Sequence, residues 1–366
     1  SLAALPVAPG ARVRFAGEAG QWRVTGWKLE HMLVVLRLRR IVPDALPARA
    51  GDPGQVAREI DLPAGATRLV AFEAPPGEVA LAAPRILVAA AGGTGWRRAA
   101  LSIGDDAGGW EAAGDIAAPA VIGRVTRPPS ARASAAIEDR GSVAEVELLH
   151  AGMALGNADA AALDRGANAA MLGDELVQFG RAEQIGERRW RLSRLWRGRR
   201  GTEAAIADQR VGAVFVLMDE ARLIAIDRQV PVGRISLQAS GIADAAPVHA
   251  QAVVAGRSLL PPAPVHLRGH WHGERLHIDW VRRSRTGWMW RDMIDTPLAE
   301  EREEYRVTLL PSSALQPPVS FVSSMPRLVL PTDQVPPDAA AVTVCQLGTH
   351  GASAIARYPL PERTPS

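Results

Sequence analysis

The chain has 366 residues, enough for two to four domains with cores of their own. Of its 42 basic residues only Lys28 is a lysine, and 39 acidic residues bring the net charge to +3. Because the charges are interspersed and no lysine-rich arm occurs, the composition argues against a dedicated nucleic-acid-binding protein. Cys345 is the only cysteine, which excludes internal disulfides and cysteine-rich metal sites.

Hydropathy gives no sign of a membrane segment. No window reaches about eighteen uninterrupted apolar residues, the length that a spanning helix needs. The first residues lack the charged flank and the length of a signal peptide. We therefore expect a soluble protein that leaves the cell only as part of a larger assembly.

The first predicted elements are three short strands between residues 13 and 42. Strands without a complete domain around them are expected to be the closing strands of a β domain that begins upstream, and we assign them to residues 1–47. The proline-rich stretch Pro43 to Gln55 then reads as a linker or a long surface loop.

Residues 60–258 alternate short apolar runs with glycine and proline, which predicts an all-β sandwich or barrel rather than a βαβ fold. The best helical candidate is an alanine-rich stretch from Ala158 to Ala170. The central element of this region is residues 173–203. Two period-two runs there, joined by a turn at Gln184 to Glu187, predict a long antiparallel hairpin of half-buried strands.

The hairpin is followed by a loop rich in arginine and glycine, Arg197 to Glu203. Two glycines three residues apart permit a tight loop with positive φ angles. A buried, unpaired guanidinium is too costly, so we expect these arginines to face water or an acidic partner.

Beyond a proline-rich break, residues 262–360 contain six or seven predicted strands. A tryptophan on the second strand, Trp280, would be the core anchor of the module. This arrangement resembles a fibronectin type III sandwich. The predicted fold is therefore mainly β, with several small sandwich or barrel domains ending in a fibronectin type III-like one.

No constellation typical of catalysis occurs in the sequence. The acidic run from Glu300 to Glu304 could hold a general acid and base, but a solvated loop or strand face is the favoured interpretation. His270, His272 and His277 could share one strand face, yet no third ligand type has suitable spacing, which favours ordinary surface histidines. We predict no catalytic residue, no cofactor and no metal site.

Three strings of the central region resemble a known family. A strand E-(L/I)-(V/I)-Q-F matches residues 175–179, the run L-S-x-L-x-R-G-x-R-G-T-E matches residues 192–203, and G-x-x-F-V-L-(L/M)-D matches residues 212–219. They resemble the C-terminal part of the tail-tip, or baseplate hub, protein of siphophages and of gene transfer agents. A run from Trp280 to Tyr305 is similar to the same family, so the resemblance spans about residues 60–358.

The resemblance implies a structural component of a tail tip, located in a virion or phage-like particle that is assembled in the bacterial cytoplasm. It would contribute to host attachment and DNA delivery, with other tail proteins as partners, a trimeric homo-oligomer, contact with cell-surface glycans and passage of DNA. The family also carries an upstream barrel similar to glycoside hydrolases, so the alternative is a set of accessory β modules of a cell-wall-degrading glycoside hydrolase.

The arginine loops could contact DNA phosphates or carboxylates of a neighbouring subunit, and arginine geometry favours the second role in an assembly protein. We therefore interpret these arginines as interface or fold-stabilising residues. We expect the basic loop 194–200 and the acidic run 299–304 to contribute to contacts between subunits or with neighbouring tail proteins. The candidate interface residues are Arg194, Arg197, Arg199, Arg200, Arg282, Arg283, Arg285, Glu300 and Glu301.

Overall fold

The computed structural model describes residues 6–42, 62–77, 81–104, 108–226, 229–286, 296–313 and 315–361. Strands make up 47% of the residues and helices 5%, so the prediction of a mainly β protein is confirmed. The chain divides into two compact units, residues 1–60 and residues 61–366. Within the described residues, no helix is long and apolar enough to span a membrane.

The N-terminal unit is a small antiparallel sheet of three strands, in the order β1-β2-β3. The strands fall where the apolar runs predicted them. Val24 is the only residue of this sheet that is fully buried, among those described. That the sheet closes a larger domain remains a prediction, and residues 43–61, including the predicted linker, lie outside the described part. The strands are β1 (Arg12–Val13), β2 (Gln21–Glu30) and β3 (Leu33–Ile41).

The second unit begins with thirteen strands and one short helix. They are β4 (Arg68–Glu73), β5 (Ile86–Ala91), β6 (Ala99–Gly104), β7 (Trp110–Ile116), β8 (Ile122–Arg127), β9 (Ala144–Leu148), α1 (Ala160–Asp164), β10 (Ala169–Leu172), β11 (Glu175–Gln184), β12 (Arg189–Trp196), β13 (Val214–Leu217), β14 (Ile224–Ala225), β15 (Gly233–Gly241) and β16 (Val248–Val254).

Two of the domains in this unit are interleaved along the chain. The sheets β14-β5-β4 and β16-β15-β6-β7 share one hydrophobic core and form a sandwich. Strands β8 to β13, which lie between β7 and β14 in sequence, close a six-stranded barrel in the order β10-β11-β12-β9-β8-β13. The barrel has its own core, built around fully buried Phe179, Leu195 and Phe215. The barrel is therefore inserted into the sandwich.

The central antiparallel hairpin of the barrel forms as predicted, but its burial differs from the prediction. β11 and β12 pair from Gln178 opposite Trp196 to Gln184 opposite Trp190. The expectation of a half-buried strand is wrong for residues 175–180, all of which are buried. The side of β11 that carries Gln178 is covered by α1 and the residues after it. The Gln178 amide donates to the carbonyl of Leu163 in α1 and to that of Ala167 beyond its end.

The predicted helix is much shorter than the alanine-rich stretch. It covers only Ala160–Asp164, although its N-terminus is capped by the Asp159 carboxylate, which accepts from the Ala162 backbone N–H at 2.8 Å. Alanine favours a helix, but a helix this short has little stability of its own and depends on packing.

The C-terminal region is a second sandwich. One sheet has the order β17-β18-β21 and the other the order β20-β19-β22, with β24 on the far side of β22. As predicted, Trp280 anchors the core, and its ring packs edge-on against Tyr305 with a centroid separation of 5.0 Å. The strands are β17 (Val265–His272), β18 (Arg275–Val281), β19 (Tyr305–Pro311), β20 (Val319–Ser323), β21 (Arg327–Pro331), β22 (Ala339–Gly348), β23 (Gly351–Ala352) and β24 (Ala356–Pro359).

Candidate functional site

The arginine loop after β12 contains a buried ion pair. Arg197 donates from Nε to Oε1 of Glu175 at 2.7 Å and from Nη2 to Oε2 at 2.9 Å, and both side chains are completely buried. Its third nitrogen donates to the Ser130 carbonyl at 2.9 Å and lies 3.5 Å from the Asp139 carboxylate. The bidentate geometry and the extra acceptors offset the cost of burying a guanidinium.

The carboxylate of Glu175 is equally well satisfied. Besides Arg197, it accepts from the Gly198 backbone N–H at 2.9 Å and from the Gln209 amide at 2.7 Å. Four hydrogen bonds therefore hold one buried carboxylate between the start of β11 and the loop after β12. A fully satisfied network of this kind fixes the geometry of the loop.

The loop itself depends on left-handed backbone conformations. Gly198 has φ of 56°, and a Cβ built on it would lie 2.8 Å from the Glu203 Cα. Arg200 also adopts a positive φ of 53°. Thr202 closes the turn, because its hydroxyl accepts from the Leu176 N–H at 3.0 Å and donates to the Arg199 carbonyl at 2.8 Å. The glycine and the threonine thus hold the loop back onto β11.

Of the two roles expected for the loop arginines, interface or fold-stabilising, Arg197 has the fold-stabilising one, and its place among the interface candidates is wrong. Its charge is neutralised within the chain, so no surface of it is left for another subunit. Sequence reasoning missed the role of Glu175. Glu175 begins a segment, residues 175–180, that is buried throughout, and a buried carboxylate requires a cation close by.

The remaining arginines of the loop are more accessible. Arg199 donates to the Gln178 side-chain oxygen at 3.0 Å and lies over the Trp196 ring at 5.8 Å, and burial lowers the pKa of its guanidinium. Arg194 is 45% exposed and pairs with Glu138 at 2.7 Å. Arg200 is half-buried.

A second intrachain pair joins two residues that were predicted to meet across subunits or face a partner. Arg285 donates to Glu300 at 2.9 Å, and their side chains are 6% and 1% exposed. Glu300 also accepts from the Thr349 N–H at 2.7 Å, and Arg285 donates to the Ala299 carbonyl at 2.9 Å. The expected surface role is therefore wrong for both, because each satisfies the other inside this chain.

Three candidates of the C-terminal sandwich remain near the surface. Arg282 donates to the Thr296 carbonyl at 2.8 Å, and Glu301 is exposed. Arg283 pairs with Glu203 at 2.6 Å, which joins the C-terminal sandwich to the end of the barrel loop. The arginines at 282–285 are thus paired partly with the acidic run 299–304 and partly with the end of the barrel loop.

The histidines form a small aromatic group rather than a ligand set. His270 stacks on His277 with a centroid separation of 5.3 Å, and His272 meets His277 edge-on at 6.0 Å. Among the described residues, no group of three or more histidine, cysteine or carboxylate side chains has a geometry suited to a metal ion.

A cleft of about 290 Å³ lies between β4 of the sandwich and strands β10 and β13 of the barrel. Its floor is apolar, with Phe72, Met171 and Val214, and its rim carries Asp208 and Arg210. The volume of the cleft lies at the lower limit of the usual range for small-molecule sites, about 300–1,000 Å³.

Comparison with known proteins gives a family match for one region of the chain. Residues 120–216 match the family model described as Rcc01698-like, C-terminal. No curated protein matches the chain. The solved structures that it resembles include a segment of two fibronectin type III domains from chicken tenascin, at 8% identity, covering 71% of this chain and 98% of that one, with a TM-score of 0.22. Another is domains A168–A170 of titin, at 11% identity, covering 76% and 73%, with a TM-score of 0.21.

The matched region coincides with one structural domain. It begins just before β8 and ends within β13, so it spans the inserted barrel. The buried network of Glu175 and Arg197 lies inside it, as does the loop closed by Thr202. This chain is therefore similar to Rcc01698-like proteins in their C-terminal domain, over the barrel and its arginine loop.

Proposed function

We propose that this chain is a structural component of the tail tip, or baseplate, of a phage or a gene transfer agent. In this role it assembles with other tail proteins, as a homo-oligomer that is trimeric in the particle, and contributes to host attachment and to the delivery of DNA. The single observation that supports the proposal best is the match of residues 120–216 to the Rcc01698-like, C-terminal family.

The tail-tip strings at 175–179 and 192–203 lie within the matched region 120–216, and the string at 212–219 begins in it. Of the tail-tip strings, Glu175, Gln178, Arg197, Gly198 and Thr202 all take part in the hydrogen bonds that hold the barrel loop. These residues stabilise a fold rather than perform chemistry. Their presence supports a shared domain with an architectural role, because none of them is placed to meet a substrate.

Contacts between subunits must be made by side chains that remain accessible to solvent. Arg194 and Glu301 are exposed, and Arg200 is half-buried, whereas Arg197 and Glu300 are occupied inside the chain. Exposed charges at a rim mainly set orientation and association rate, so apolar surface must supply the affinity. The N-terminal sheet offers such surface, since Leu29, Leu33 and other apolar side chains on it are exposed.

A reconstruction of the intact particle tests the proposal. We expect three copies of this chain around the tail axis, with the barrel in contact with a neighbouring subunit or tail protein. One or six copies, or absence of the chain from purified particles, would contradict it. As a control for an enzymatic role, the purified chain and its Glu301→Gln variant are incubated with peptidoglycan. Release of sugar or peptide by the first and not by the second would overturn the structural interpretation.

A further inference from the structure

The N-terminal sheet carries four arginines on one face. Arg12 lies directly opposite Arg23, and Arg23 lies directly opposite Arg39, so these three form a row across β1, β2 and β3. Arg37 is two residues from Arg39 on β3 and projects from the same side. Residues opposite each other in an antiparallel pair share a face, so the four side chains form one group, here called the arginine face.

No carboxylate of the described residues compensates this charge. None of the four arginines makes an ion pair there, whereas the arginines of the barrel loop pair with Glu138 and Glu175. All four are exposed. Like charges directly opposite each other destabilise a sheet, so this arrangement is unfavourable until an anion binds to it.

The opposite face of the same sheet has a different chemistry. It carries Val24, Leu36 and Leu38, and Arg40 on that side lies over the Trp22 ring at 5.8 Å and donates to the Ala19 carbonyl at 3.2 Å. The more buried apolar residues Val24, Leu36 and Leu38 thus lie on one side. The four arginines lie on the other side, where exposed Val35 and Leu33 continue the same face of β3 beyond Arg37. The two faces of the sheet therefore suit different partners.

The spacing of the arginine face fits a polymer of phosphates. Neighbouring strands are about 4.8 Å apart, and alternate residues on a strand are about 6.7 Å apart. A nucleic-acid duplex carries one negative charge per about 1.7 Å of its axis, dense enough to meet several of these guanidinium groups at once. A protein partner would be expected to bring an apolar contact into the centre of the patch. No apolar residue lies between the four arginines on this face.

We propose that the arginine face binds the phosphate backbone of double-stranded nucleic acid without regard to sequence. The net charge of the whole chain does not reveal it, because 39 acidic residues offset most of the 42 positive charges. The inference does not depend on the tail-tip proposal, since the purified chain is sufficient to test it.

The test is fluorescence anisotropy of a labelled DNA duplex titrated with the full 366-residue chain at 50 to 200 mM salt. Four phosphate contacts predict a slope of log K against log salt of about −3.6, so that binding weakens about 150-fold over this range. The variant R23Q/R39Q is expected to reduce the slope by about 2, and R12Q/R23Q/R37Q/R39Q to abolish binding.

The matched control is R68Q/R132Q/R234Q/R306Q. It removes the same charge from four exposed arginines that lie on separate elements. We expect this control to bind like the unaltered chain. Equal loss in both quadruple variants, or no binding of the unaltered chain at 50 mM salt, would overturn the proposal. Binding to polyglutamate that equals binding to DNA, and depends on the same four arginines, would also overturn it and assign the face to an acidic protein.

Discussion

The barrel and the N-terminal sheet differ in whether their arginines have carboxylate partners. In the barrel, Arg197 is completely buried against Glu175, and partly exposed Arg194 pairs with Glu138. In the N-terminal sheet, Arg23 and Arg39 stand opposite each other without a carboxylate of the described residues in reach. The two regions contain similar proportions of arginine in the sequence. The arrangement of acidic residues, and not the density of arginine, separates a fold-stabilising arginine from one that is available to a partner.

The two regions also differ in how they bury apolar residues. The barrel closes on itself and encloses a continuous core with fully buried Phe179 and Phe215. The sheet of β1 to β3 has no further strand at either edge among the described residues, and it leaves Trp27, Leu29 and Leu33 more than a third exposed. A closed barrel leaves no strand edge unpaired, whereas an open three-stranded sheet gains much of its stability from a covering layer.

The largest expected effect tests the buried pair. Arg197→Met leaves the Glu175 carboxylate buried without its cation, and breaking a buried pair from one side costs about 3–5 kcal/mol. Denaturant unfolding of the full chain, with hydrogen exchange of the β11 and β12 amides, measures the loss and locates it in the barrel. The double variant E175L/R197M should recover part of the loss, because no uncompensated charge remains.

An unfolding free energy of Arg197→Met within about 1 kcal/mol of the unaltered chain would contradict this prediction, since such a value is typical of exposed pairs. Arg197 would then contribute no more to stability than an exposed arginine does, and the contrast between the barrel and the N-terminal sheet would not hold. The single variant E175L completes a double-mutant cycle with R197M and E175L/R197M, which separates the Arg197 pair from the hydrogen bonds that Gly198 and Gln209 donate to Glu175.

A second prediction compares two tryptophans. Trp280→Ala in the C-terminal sandwich empties a core site, so we expect a cost of about 3–5 kcal/mol. Trp27 is 37% exposed on the N-terminal sheet, and Trp27→Ala should change the unfolding free energy by less than about 1 kcal/mol. Thermal unfolding of both variants gives the two values. A large cost at Trp27 would show that the apolar face of the sheet is already covered.

The hairpin shows how much of the fold could be predicted. Its strands and turn follow from the period-two pattern, because that pattern is local. The insertion of the barrel could not be predicted in this way. Leu237 of β15 pairs with Ile103 of β6, and pairing across more than a hundred residues leaves no local signal. The burial of Arg197 was missed for a different reason: it depends on Glu175 of the neighbouring strand, which the residues of the arginine loop alone do not indicate.

A third prediction concerns the loop geometry. Gly198→Ala places a methyl group 2.8 Å from the Glu203 backbone at a positive φ, so the cost should exceed about 1 kcal/mol. Gly212→Ala is the control, because Gly212 also has a positive φ, of 85°, but meets nothing within 4 Å. We expect it to cost about 1 kcal/mol at most. Equal unfolding free energies for the two variants would show that the loop can move away from the added methyl group.

Acidification provides a smaller effect that is specific to the barrel. Hydrogen bonds from Arg140 and Arg194 lower the pKa of Glu138, and a hydrogen bond from Arg124 lowers the pKa of Glu147. A lowered folded-state pKa stabilises the fold above the unfolded value, about 4.3 for glutamate, and this stabilisation disappears as the pH falls through the folded value. Unfolding measured from pH 7 to pH 3 should show less pH dependence in E138Q/E147Q than in the unaltered chain. Glu187→Gln, on the exposed hairpin turn, should not reduce it.

The smallest effect concerns the exposed pair of the barrel. Arg194 is 45% exposed and contacts Glu138 at 2.7 Å, and such pairs contribute about 0.2–1 kcal/mol. Arg194→Met should therefore destabilise the isolated chain by less than about 1 kcal/mol, and the difference should shrink at high salt, which screens exposed charges. Arg194 also has a positive φ of 56°, so Arg194→Gly is the companion variant that removes the pair while relieving the backbone. If both variants lose more than about 2 kcal/mol, Arg194 stabilises the fold as Arg197 does, and no arginine of residues 194–197 remains available to a neighbouring subunit.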